Sequence, residues 1–186
     1  MSNPSGDVAR LAGRAWLFGA DISTDMLSPG QYVHDPPEVR LRHVLESARP
    51  EFAGQVRAGD IVVAGPNFGC GSSRESAPQH LKDLGVAAVV ADSLARIFAR
   101  NAIAIGLPAL SCPGVSAAVA DGDVVDVDIV AGVVTVEQQG SEGSVRRELE
   151  ADRIPEPMLD VLRHGGIEPL LAALAEAEGN PAQDLD

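Results

Sequence analysis

Aromatic side chains and cysteines are scarce in this chain of 186 residues. Aromatic residues make up 3% of the composition, so the core must be packed with Val, Ala, Leu and Ile, and little material exists for stacking on nucleic-acid bases. Cys70 and Cys112 are too few for a disulfide framework or a zinc site. We therefore predict a reduced, cytoplasmic protein that ligates no metal itself.

Long apolar runs are absent as well. No stretch of about 20 apolar residues could span a membrane, and the first ten residues lack the order of a secretory signal. The net charge of −13 also excludes a nucleic-acid partner. This charge is uneven, because residues 1–120 contain 11 acidic and 10 basic residues whereas residues 121–186 contain 16 and 4. The first part can therefore hold a local cationic site for an acidic substrate.

Hydrophobic periodicity predicts an α/β domain built around a parallel βαβ unit. Continuous apolar runs indicate buried strands, and the alternation of Val or Ile with Asp indicates a half-exposed hairpin. The predicted strands are 14–20, 60–64, 86–91, 123–130 and 133–137, and the predicted helices are 38–48, 72–84, 93–105, 158–164 and 167–177. Residues 1–12 are predicted to be an N-terminal extension, residues 13–178 a single domain and residues 179–186 a tail.

A glycine-rich loop, GCGSSR at 69–74, joins a predicted strand to a predicted helix. Its glycines allow a close approach of the backbone to a ligand, and the free amides of a helix start favour an anion. Ser72 and Glu75 have the spacing of a capping box, and the Arg74 guanidinium suits a carboxylate or phosphate. A nucleotide loop is disfavoured because the only lysine, Lys82, lies deep in the helix. The residues alone leave open that Ser72 only caps the helix while Arg74 makes a surface ion pair.

Three ordered segments contain a more specific signal. They are GDIVVAGPNFGCGSSRE at 59–75, SLARIFARNA at 93–102 followed by Gly-Leu, and Thr-Asp at 24–25 followed by Pro-Gly and Tyr. Together these segments resemble the small subunit of 3-isopropylmalate dehydratase, within the aconitase superfamily, over roughly residues 14–112. The resemblance implies a three-layer β/β/α swivelling domain, similar to the mobile fourth domain of single-chain aconitases.

The resemblance also implies a function and a set of site residues. The expected enzyme is a heteromeric hydro-lyase that isomerises a 2-alkylmalate-type hydroxy acid by dehydration and rehydration. Ser72 would be the general base, and Asp25 would pair with a histidine of the large subunit. The expected substrate-binding residues are Ser73, Arg74, Thr24 and Gly71. This chain is expected to bind no cofactor, because a 4Fe-4S cluster requires a cysteine ligand set that the large-subunit partner would supply.

The family's specificity loop corresponds here to Tyr32, Val33, His34 and Asp35. Relatives that act on isopropylmalate have apolar residues there, and those that accept homocitrate-like acids have an arginine. Neither pattern is present, so another substituted malate or homoaconitate remains an alternative substrate. His34 either faces a polar group of the substrate or is a solvated loop residue, and Cys70 is expected to be a small packing residue. A non-catalytic anion-binding module is the alternative in a different class.

The acidity of an alcohol limits what Ser72 can do unaided. Each pKa unit above neutrality costs about 1.4 kcal/mol, whereas a helix N-terminus contributes at most ~2 kcal/mol. Arg74, the loop amides and charged groups of the partner must therefore stabilise the alkoxide-like state together. The isolated chain is predicted to be inert.

Overall fold

The computed structural model describes residues 9–140 and 143–178. Seven strands form one mixed sheet in the order β4-β3-β2-β1-β5-β6-β7. The strands are β1 (Arg10–Phe18), β2 (Ile61–Ala64), β3 (Ala88–Ala91), β4 (Ala109–Ser111), β5 (Val124–Asp128), β6 (Val133–Gly140) and β7 (Gly143–Glu150). The helices are α1 (Thr24–Leu27), α2 (Pro37–Arg42), α3 (Phe52–Gln55), α4 (Ser76–Asp83), α5 (Arg96–Ala104), α6 (Val115–Ala118), α7 (Glu156–Arg163) and α8 (Ile167–Glu178), with a 3-10 turn at Gly30–Tyr32.

Strand β1 divides the sheet into two halves. Its last four residues, from Ala15, pair in parallel with β2, and its first five, from Arg10, pair antiparallel with β5. We call the C-terminal part of β1 with β2, β3 and β4 the parallel half, and the N-terminal part of β1 with β5, β6 and β7 the antiparallel half. The parallel half contains the predicted βαβ unit, and the hairpin predicted from the Val/Asp alternation is formed by β5 and β6.

Two hydrophobic cores on opposite faces of the parallel half define three layers. On one face, Trp16 and Val62 pack with Phe98 and other residues of the helices. On the other face, the alternate strand residues, such as Val63, pack with Val125 and other residues of the antiparallel half. Strands of the parallel half are thus buried on both faces, as their apolar runs predict. The predicted β/β/α architecture is confirmed.

The helix after the glycine-rich loop begins later than predicted. Helix α4 starts at Ser76, and its N-cap is Glu75, whose side chain makes no capping hydrogen bond. The predicted start at Ser72 and its capping box with Glu75 are therefore wrong. The physical reason is the turn before the helix, where the Arg74 amide donates to the Ser72 carbonyl at 2.9 Å and Gly71 has φ +102°.

Other boundaries differ where polar or very short elements give a weak pattern. Helix α2 ends at Arg42, six residues before the predicted end at residue 48, and Leu45 follows with φ +59°. Helix α5 begins at Arg96 instead of residue 93. The short elements β4, α1, α3 and α6 and the charged edge strand β7 were not predicted.

The predicted N-terminal extension, residues 1–12, overlaps the first strand of the sheet. Strand β1 begins at Arg10, so residues 10–12 belong to the sheet. Residues 1–8 and 179–186 lie outside the described residues, and their assignment as extension and tail stays a prediction. Among the helices of the described ranges, none is both long and apolar enough to cross a membrane.

Candidate functional site

The glycine-rich loop follows β2 and lies against the segment that leads into α1. The Gly69 amide donates to the Ile22 carbonyl at 2.7 Å, and the Thr24 amide donates to the Cys70 carbonyl at 2.8 Å. Ser23 and Cys70 form an isolated parallel bridge between the two segments. The structure therefore brings the Thr-Asp motif and the Ser-Ser-Arg motif together, although Thr24 and Ser72 are 48 positions apart in sequence.

Glycine is required at two points of this loop. Gly69 has φ +78°, and a β-carbon there would lie 2.3 Å from Phe98 Cγ. Gly71 has φ +102°, and its β-carbon would lie 3.1 Å from Thr24 Oγ1. Phe98 itself packs edge-on against Phe68 at 5.2 Å between ring centroids. The loop can approach its supports this closely only because both positions lack a side chain.

Thr24 lies beneath Ser72 and fixes its position. The Thr24 side chain is 2% exposed, and its hydroxyl donates to the Ser72 carbonyl at 3.0 Å. The two hydroxyl oxygens are 3.4 Å apart. Ser72 and Ser73 are exposed. In this arrangement Thr24 supports the loop, and a direct contact of Thr24 or Gly71 with substrate stays a prediction.

Arg74 connects the loop to α1 through both guanidinium nitrogens. Its Nη2 lies 2.5 Å from Asp25 Oδ1, and its Nη1 donates to the Ser28 carbonyl at 2.5 Å. The Ser28 and Ser76 hydroxyls are 2.8 Å apart beside it. The ion pair that the residues alone left open is thus present, with an Asp25 carboxylate that is 63% exposed. Exposed pairs of this kind contribute only about 0–1 kcal/mol, so an anionic ligand can compete for the guanidinium.

The two cysteines lie in different environments. Cys70 is half-buried in the loop, whereas Cys112 is buried in the core between the two halves of the sheet. Burial raises the pKa of the Cys112 thiol to about 11, so this thiol stays protonated. Within residues 9–140 and 143–178, no three His, Cys, Asp or Glu side chains lie close enough to hold a metal ion.

The predicted specificity loop contacts His43, which is paired with Glu46, and no sequence pattern selected either residue. Tyr32 stacks on His43 at 3.6 Å between ring centroids and 14° between ring planes. His43 Nδ1 in turn lies 2.5 Å from Glu46 Oε2. Val33 is 56% exposed, and His34 is also exposed. His43 and Glu46 follow the end of α2, where no periodic pattern singles them out.

The β/β/α layers and the serine–arginine loop beside Thr24-Asp25 define an aconitase-type swivelling domain. Residues 38–114 match the family described as Aconitase C-terminal domain. The chain is 50% identical over 167 residues to the 3-isopropylmalate dehydratase small subunit 1 of Methanopyrus kandleri, a match that covers 89% of this chain and 93% of that protein. It is 47% identical to the methanogen homoaconitase small subunit of Methanothermobacter thermautotrophicus, over 84% of this chain and 88% of that protein.

A solved structure shares the whole architecture. The crystal structure of 3-isopropylmalate dehydratase from Methanocaldococcus jannaschii aligns with a TM-score of 0.79 and 32% identity, covering 92% of this chain and 99% of that one. The chain belongs to the family of 3-isopropylmalate dehydratase small subunits. The predicted family is confirmed, and the relatives' names agree with the predicted hydro-lyase class.

Proposed function

We propose that this chain is the small subunit of a 3-isopropylmalate dehydratase or a close relative, a hydro-lyase that isomerises a 2-alkylmalate by dehydration and rehydration. One observation supports this most strongly. Ser72 and Ser73 are exposed in the same loop as Arg74, whose guanidinium is paired with the exposed carboxylate of Asp25. A dicarboxylic acid provides the groups that such a constellation binds.

In the proposed mechanism, Arg74 binds one carboxylate of the substrate and Ser73 donates a hydrogen bond to it. Ser72 removes a proton from the carbon next to a carboxylate as the hydroxyl leaves, and it returns the proton during rehydration. Because α4 begins at Ser76, Ser72 lies in a turn before the helix and not at its N-terminus. The helix dipole therefore stabilises the alkoxide-like state of Ser72 less than a helix start at this residue would. Most of the stabilisation must come from Arg74 and from charged groups of the partner.

We further propose that a large-subunit partner holds a 4Fe-4S cluster. The described residues of this chain do not fit such a cluster, since they offer no group of three metal ligands and Cys112 is buried apart from the loop. In the partner, the cluster would supply Lewis-acid assistance to the departing hydroxyl. Asp25 is accessible to a histidine of that partner because 63% of its side chain is exposed.

The biological setting follows from the same reaction. Isomerisation of isopropylmalate belongs to leucine biosynthesis, and we propose that the chain acts there in the cytoplasm. Two free cysteines, Cys70 and Cys112, are consistent with a reducing compartment. A non-catalytic module would have no need for both Thr24-Asp25 and the serine–arginine loop, which the fold brings into contact.

Reconstitution tests this proposal. The isolated chain and its complex with the cognate large subunit are assayed anaerobically against isopropylmalate, methylated malates and homocitrate. We expect turnover of an alkylmalate by the complex and none by the isolated chain. If a correctly assembled, cluster-loaded complex turned over none of these hydroxy acids, the result would contradict the proposed function.

A further inference from the structure

A shallow pocket lies next to the ion pair of Arg74 with Asp25, because Asp25 is one of its lining residues. Its volume is about 390 Å³, and Asp25 and Gly30 form the wall shared with the arginine. Asp25 Oδ1 is 2.5 Å from Arg74 Nη2, and a β-carbon built on Gly30 would lie 3.6 Å from the same nitrogen. A carboxylate bound by Arg74 would therefore place the rest of the molecule at the mouth of this pocket.

The lining of the pocket also contains a second carboxylate. Glu46 and Ser47 lie there, with Gln31 beside them. The Gln31 amide nitrogen is 3.5 Å from Glu46 Oε1, and His43 Nδ1 is 2.5 Å from Glu46 Oε2. These contacts hold Glu46 in place. The stack of Tyr32 on His43 connects this part of the lining to the predicted specificity loop.

The ionisable side chains among the described residues that line the pocket are all acidic. Asp25 and Glu46 are its two ionisable residues, and the remainder is neutral, including the thioether of Met26 and the hydroxyl of Ser47. Among these described lining residues, none is Lys, Arg or His. A substituent that ended in a carboxylate would meet the two lining carboxylates, whose partners Arg74 and His43 lie outside the lining. An uncharged alkyl substituent meets no such repulsion.

We propose that this pocket receives the substituent of the substrate and that Glu46 makes it select alkyl-substituted malates over acids with a third carboxylate. The inference rests on the proposed function and deepens it. It assigns specificity to Glu46 and Gln31, outside the loop of residues 32–35. The third carboxylate of a homocitrate-like acid is excluded by charge repulsion from the pocket wall.

Two substitutions in the reconstituted complex test the charge of this wall. Glu46→Gln removes the carboxylate, and Ser47→Lys adds a cation to the lining while both Glu46 and His43 are kept. Glu38→Gln is the matched control, because Glu38 is an exposed acid on α2 outside the pocket. The measurement is kcat/KM for isopropylmalate and for homocitrate, or the inhibition constant of homocitrate where it is not turned over.

We expect the preference for isopropylmalate over homocitrate to fall at least tenfold in Glu46→Gln and in Ser47→Lys, mainly through KM or the inhibition constant for homocitrate. Glu38→Gln should keep the wild-type preference. Added salt should narrow the wild-type preference, since screening weakens repulsion between exposed charges.

An unchanged preference in both pocket variants would overturn the inference while leaving the proposed function intact, provided that wild type turns over isopropylmalate. If Glu46→Gln fails to fold, Ser47→Lys decides alone. A wild-type complex that turned over neither acid would instead overturn the proposed function.

Discussion

The parallel and antiparallel halves of the sheet differ in burial and in chemistry. Strands β2 and β3 are buried at every position, whereas β5 alternates between buried Val and more exposed Asp or Val. Every predicted site residue lies in or beside the connections of the parallel half. The C-terminal third, which contains the antiparallel hairpins, instead has most of the acidic residues, 16 of the 27 in the chain.

The difference follows from strand direction. Loops after parallel strands emerge at one edge of the sheet, so the loop after β2 lies beside the chain that leaves β1 at residues 19–24. Antiparallel hairpins alternate their connections between the two edges and leave one face to water. The antiparallel half therefore buries one face of the parallel half, and its acidic outer positions favour solubility.

The largest expected effect tests whether chemistry is confined to the parallel half. Ser72→Ala in the reconstituted complex should reduce kcat by about 10²–10⁴-fold, the usual contribution of a general base. Thr135→Val removes a hydroxyl from β6 in the antiparallel half and should leave kcat unchanged. Steady-state kinetics of the two variants measure the contrast. Unaltered turnover in Ser72→Ala would show that another group is the base.

The tight packing of the loop gives the next largest effect, on stability. Gly69→Ala places a β-carbon 2.3 Å from Phe98 at a positive φ, and we expect a loss of roughly 3 kcal/mol from strain and overpacking. Gly122→Ala, in the turn before β5, has a similar φ of +89°, and no atom of the described residues lies within 4 Å of the added β-carbon. It should cost only about 1 kcal/mol. Urea unfolding gives both values, and equal losses would contradict close packing at the loop.

The geometry of Arg74 predicts a smaller effect on catalysis. Lysine is a point charge and cannot span the Asp25 carboxylate and the Ser28 carbonyl as the guanidinium does. Arg74→Lys should lower kcat/KM for an alkylmalate by about tenfold, the equivalent of one lost charged hydrogen bond. Arg146→Lys changes an exposed pair on β7 and is the control. Equal kcat/KM values for Arg74→Lys and Arg146→Lys would show that the paired nitrogens of the Arg74 guanidinium have no role in catalysis.

The smallest effect is a pH dependence of stability at His80 of α4. This side chain is 5% exposed and its Nδ1 lies 3.2 Å from the Leu27 carbonyl. Burial lowers the pKa of His80 in the folded state. Below about pH 6.5 the unfolded chain therefore binds the proton more readily, so His80 makes stability fall as the pH drops.

Replacement of this histidine should flatten that dependence. Between pH 7.5 and about 5.5 we expect His80→Gln to lose less stability than wild type, by at most about 1 kcal/mol. His164→Gln, at an exposed position after α7, should keep the wild-type dependence. Unfolding in urea at several pH values measures the slopes. A steeper slope in His80→Gln would contradict the burial argument.

Local patterns were enough to predict part of the fold. Buried strands β2 and β3 appear as uninterrupted apolar runs, and β5 appears as an alternation, because side-chain burial depends on the period of the strand. The edge strand β7 was missed, since most of its residues are polar and its partner β6 defines it. The shift of α4 to Ser76 was missed because a capping-box spacing says nothing about the turn that precedes it.

For the site, the order of residues along the chain was enough to identify the side chains involved, including Ser72, Ser73 and Arg74 after a buried strand. The partners of these side chains follow from the folded arrangement of the strands. Asp25 meets Arg74, and Thr24 lies beneath Ser72, because β1 and β2 are parallel neighbours whose following loops meet at one edge. Contacts between residues so far apart in sequence depend on how the strands pair, and local spacing does not specify that pairing.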